Sequence, residues 1–70
     1  MPLENNLPAY IVYKGFKRDY IEWQTDKGVW FVGYGQNGGV DCMVAFNEEL
    51  DKAKELAYNM LLEHKLIREK

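Results

Sequence analysis

Nucleophilic catalysis needs a hydroxyl or thiol held beside a base, and this chain has few of either. It contains no serine, one threonine (Thr25), one cysteine (Cys42) and one histidine (His64). A Ser–His–Asp arrangement is therefore excluded, and a Cys42–His64 dyad is the nucleophilic option left. A zinc site draws about four ligands from Cys, His and carboxylates, and one Cys with one His cannot dominate such a set. The run Gly33-Tyr34-Gly35-Gln36-Asn37-Gly38-Gly39 has no lysine and lacks the spacing of a phosphate-binding loop, so it reads as a turn. These absences predict a non-enzymatic protein with no catalytic residues, no metal and no cofactor.

Those residues sit on a chain of 70 residues with 9 Lys+Arg, 11 Asp+Glu and a formal net charge of −2. That length makes one domain. An apolar fraction of 47% is enough for a packed core. One cysteine excludes an intramolecular disulfide. No apolar run approaches the ~18 residues of a membrane span, and the opening MPLENNLP does not read as a secretory leader. The expectation is a cytoplasmic protein without a membrane partner.

The element pattern is β-β-β-β-α. Residues 1–8, with two prolines and two asparagines, read as a flexible arm. Residues 9–70 read as a single α+β domain, a three- or four-stranded antiparallel meander packed on one long C-terminal helix. The strands are predicted at about 9–16, 20–25, 29–36 and 40–46, and the helix at about 47–69. Gly28 fits the left-handed position of a three-residue hairpin loop, which sets Trp23 opposite Phe31 and Tyr20 opposite Tyr34. Asn37-Gly38 is a type I′ turn signal that sets Gln36 opposite Gly39 and Phe31 opposite Val44. The turn between the first two strands is placed at Lys17-Arg18-Asp19, with Lys14 opposite Glu22 and with Ile11 and Tyr13 facing the core.

Both registers gather Ile21, Trp23, Val29, Phe31, Gly33, Gly35, Val40, Cys42, Val44 and Phe46 on one face. Every member is apolar or glycine, so that face is expected beneath the helix. Asn47 is expected to cap the helix, and Leu50, Ala53, Leu56, Ala57, Met60, Leu61, His64 and Ile67 form its apolar stripe. Distances along strand and helix put His64 about 10 Å too far for a dyad with Cys42. Cys42 then reads as a small buried hydrophobe, and His64 as an edge-of-core residue.

Two surfaces remain. The other sheet face, with Tyr20, Gln24, Trp30, Val32, Tyr34 and Met43, has the aromatic and methionine content of a partner-binding surface. Tyr58, Leu62 and Leu66 recur every four residues away from the stripe, on a helix whose last turns should overhang the sheet. They suggest a homodimer. The expected function is a small binding or regulatory protein that occupies a partner protein's surface, as an inhibitor does. Two alternatives stand beside it. One is a nucleic-acid module using sheet aromatics and the Lys14, Lys17 and Arg18 end, which four bases against four acids in residues 9–46 disfavour. The other is a protein that sequesters a small planar ligand.

Overall fold

The computed structural model describes residues 7–67. Four antiparallel strands, β1 (Tyr10–Tyr13), β2 (Phe16–Gln24), β3 (Trp30–Gln36) and β4 (Gly39–Asn47), form one curled sheet in the order β1-β2-β3-β4. One helix, α1 (Leu50–Glu63), packs against it. This is the α+β architecture that the patterning predicts.

The expected registers hold beside the turns at Gly28 and Asn37-Gly38. Gly28 has φ +86°, and the Thr25 and Gly28 amides close the loop on the Val29 and Thr25 carbonyls. Trp23 then faces Phe31 and Tyr20 faces Tyr34, as expected. Asn37 and Gly38, at φ +56° and +81°, make the second turn and pair Gln36 with Gly39. Beyond it the ladder slips twice, between Gly35 and Tyr34 and between Tyr34 and Val32. Met43 takes φ +54° where a bulge adds residues to β4. Phe31 therefore pairs with Phe46 and not with Val44.

The first turn differs from expectation. It is Lys14-Gly15, with φ +53° and +83°, a two-residue turn that pairs Tyr13 with Phe16. Lys17, Arg18 and Asp19 lie inside β2, and the Lys14–Glu22 pair does not form.

The face assignment is inverted. Helix α1 covers the face bearing Val32, Tyr34, Met43 and Ala45, all buried, and meets it with buried Ala53, Ala57 and Leu61. Small alanines bring the helix close over Val32 and Ala45. Tyrosine is tolerated there because its polar tip finds a partner. The Tyr34 hydroxyl donates to the Pro8 carbonyl at 2.7 Å, and the Tyr20 hydroxyl to Glu22 Oε1 at 2.6 Å. Leu7 packs against both halves of this core. The rest of the expected arm, residues 1–6, lies outside the described residues.

The helix is shorter than predicted. Asn47 ends β4, and its Oδ1 accepts the Glu49 amide at 2.9 Å. The N-cap is Glu49, in extended backbone. At the other end Lys65 takes φ +61°. The Leu66 amide donates to the Leu61 carbonyl and the Lys65 amide to the Leu62 carbonyl. This is a Schellman closure with lysine in the place glycine prefers. It turns Leu66 and Ile67 back onto the core, so no apolar turn overhangs the sheet. Within the predicted stripe, Leu56 is 45% exposed and His64 is exposed.

A candidate binding face on the open side of the sheet

Alternation places Ile21, Trp23, Phe31, Val44 and Phe46 on the face away from α1. Among the described residues no element packs over it. Trp23 from β2, Phe31 from β3 and Phe46 from β4 form a continuous row. The Trp23 and Phe31 rings are 5.1 Å apart at 12°, and the Phe31 and Phe46 rings 5.3 Å apart at 28°. The two β4 bulges create this row, because the slipped ladder carries Phe46 to Phe31. Trp23 remains 40% exposed and Phe46 61%. Val44 is also exposed. Val40 fills the space over Gly33, where an added Cβ would press on its Cγ1 at 2.7 Å. A depression of about 370 Å³ ends the row, lined by Val29, Phe46, Asn47 and Glu48.

Charge is sparse on this side. Lys17 and Asp19 share the face with Tyr10 and Val12 through the β1–β2 ladder. The Lys17 ammonium lies 3.9 Å from Asp19 and 4.9 Å from the centre of the Tyr10 ring. Both charges are well exposed, so this pair adds little to stability. The two charges offset each other, and Glu48 stands at the far end of the row, beside the depression.

The partner-binding residues expected from sequence lie elsewhere. Val32, Tyr34 and Met43 are buried beneath α1. Tyr20 and Trp30 are half-buried against the same core. Gln24 is exposed and donates weakly to the Gly28 carbonyl at 3.4 Å. Val32, Tyr34 and Met43 are therefore closed to a partner. Of the expected self-association row, one member packs on the core. Tyr58 and Leu62 are half-buried, and Leu66 has folded onto the core.

The basic end is dispersed. Lys14 lies over the Tyr13 ring, and Lys17 is on the open face beside Asp19. Arg18 points to the helix side, as its cross-strand partner Ile11 does. There it is bonded to Asp41, which raises the guanidinium pKa further. Its side chain is only 13% exposed, and its buried Nε has no partner. The three bases therefore do not form one phosphate-binding surface.

Cys42 and His64 have different surroundings. Cys42 is half-buried against the core, and burial pushes its thiol pKa up, the opposite of an activated nucleophile. His64 is exposed, edge-on to Tyr13 at 6.4 Å. No helix of the described residues is long and apolar enough to cross a membrane.

Compared with models of known families, with curated proteins and with solved structures, this chain matches none.

Proposed function

We propose that this chain is a small non-enzymatic binding protein that occupies a partner protein's surface with its open sheet face. The observation that carries the reading is the Trp23–Phe31–Phe46 row, with Trp23 and Phe46 exposed where an antiparallel sheet normally turns polar side chains to water. Exposed aromatics with few charges between them are the composition of an interface centre. Trp and Phe anchors supply large contact areas at small rotamer cost.

A nucleic-acid partner fits less well. Bases stack on free ring faces, and Phe31 already has a ring stacked on each side. The bases expected to hold phosphates point to different sides of the sheet, two of them beside carboxylates.

The test is affinity capture from source-cell lysate with the wild type and with Phe46→Glu, with and without nuclease. A bound protein retained by the wild type, lost by the variant and insensitive to nuclease and salt is the expected result. Equal retention by both chains overturns the reading, and nuclease-sensitive retention favours nucleic acid.

A further inference from the structure

We infer that the occupant of the open face is a second copy of this chain, packed sheet to sheet about a two-fold axis. The inference rests on the reading of that face as a binding surface and names what binds there. Three observations carry it.

The first is where the bulk lies. The buried apolar side chains among the described residues are Ile11, Val32, Tyr34, Met43, Ala45, Ala53, Ala57 and Leu61. Three of them are alanine, and neither tryptophan nor any phenylalanine is among them. Trp23 and Phe46 stand exposed on the other side. A chain this small buries only about 60% of its unfolded surface alone. Covering the aromatic row adds a second core of larger side chains than the first.

The second is size. The molecule is a slab with extents of 34 × 33 × 16 Å. Its broad face accommodates the ~800 Å² that each partner contributes to a standard interface. Two sheets packed face to face stand about 10 Å apart with interdigitating side chains.

The third is charge. The chain as a whole is acidic, at −2, so two copies repel over most approaches. The open face is the exception. Lys17 and Asp19 lie together on it, and Glu48 stands only at its end, beside the depression. A basic partner would call for acids at the centre of the face and an acidic partner for bases. The centre holds only Ile21, Trp23, Phe31, Val40 and Val44 with Gly33. An apolar centre without charges opposes no copy of itself, so the repulsion between two acidic chains is least here. A two-fold contact of this kind is closed, so it stops at the dimer and leaves both helices outside.

Sedimentation equilibrium over low- to high-micromolar concentrations tests this. The wild type is expected at twice its 8.2 kDa mass, with dissociation favoured at least ~30-fold by Phe46→Glu. Circular dichroism should show the variant folded, as Phe46 is mostly exposed. Leu62→Glu, on the helix, should leave the dimer intact. A wild type that stays monomeric, or a dimer lost with Leu62→Glu and kept with Phe46→Glu, overturns self-pairing. A monomer that still captures a protein from lysate through Phe46 refutes the second copy but not the binding face. Loss of both refutes the face as well.

Discussion

Trp23 and Phe31 stack at 5.1 Å and 12° across the β2–β3 ladder, on the side of the sheet that α1 leaves open. Their contact is a surface contact. Each such pair is worth about 0.5–1.5 kcal/mol beyond area burial, and most of the Phe46 ring beside them is still wet. Urea unfolding of the monomer should therefore show Phe46→Ala costing no more than about 1.5 kcal/mol. Leu61→Ala, at a fully buried core position, should cost about 2–5 kcal/mol. The reverse order would mean that the two faces are exchanged.

How much of this was legible from sequence differs by level. Gly28 and Asn37-Gly38 announced two hairpins because their backbone angles demand glycine or asparagine. Gly15 also sits at positive φ in the first hairpin, but the Lys14 before it, at φ +53°, is not a residue type that marks a two-residue turn. The choice of covered face was not legible. Alternation says which residues share a face, not which face the helix takes. Here both faces are apolar at their centres. Tyr20, Glu22 and Tyr34 looked like surface residues, yet the tyrosine hydroxyls bond to Glu22 and Pro8, and the Glu22 carboxylate lies 3.9 Å from the Lys54 ammonium. The two slips of the ladder around Met43, which build the aromatic row, have no glycine on the β4 side to mark them.

A Cβ on Gly35 would overlap the Gly39 carbonyl oxygen and sit 2.8 Å from the Val40 Cα. Both obstacles are backbone, so neither can swing aside. Gly35→Ala should destabilise by about 2–3 kcal/mol, read as a lower urea midpoint at an unchanged slope. Gly28→Ala, with open space around it, should cost only the backbone strain of positive φ, about 1 kcal/mol.

Lys65 holds a left-handed conformation at the helix end, which glycine adopts without a Cβ penalty. Lys65→Gly should stabilise the protein by about 0.5–1 kcal/mol. At the scale for a domain of this size, that is a rise in Tm of roughly 2–8 °C. A drop in Tm would contradict the Schellman closure.

Burial holds the Tyr34 hydroxyl pKa above its ordinary value of 10.0, with Cys42 a smaller contributor. Tyr20 is raised the same way, by burial first and then by its bond to Glu22. A raised folded pKa means that the unfolded chain releases the proton first. Stability from this source is complete below pH 10 and falls as pH rises through and beyond it, by up to about 1.4 kcal/mol per pH unit for one group. Tyr34→Phe should cost about 1 kcal/mol at neutral pH and should lose stability less steeply than wild type above pH 10. Parallel profiles for the two chains would mean that Tyr34 is not buried as described.

Which aromatics meet a partner decides whether the open face is the binding face. Hydroxyl-radical footprinting, read by mass spectrometry residue by residue, measures that in the free chain and in its complex. The structure predicts labelling of Trp23 and Phe46 in the dilute chain and protection of Tyr34. On association Trp23 and Phe46 should lose their label, while Leu56, exposed on the helix, keeps its own. Equal labelling of Trp23 and Phe46 in the free and associated states, or protection of both in the dilute monomer, would contradict the account.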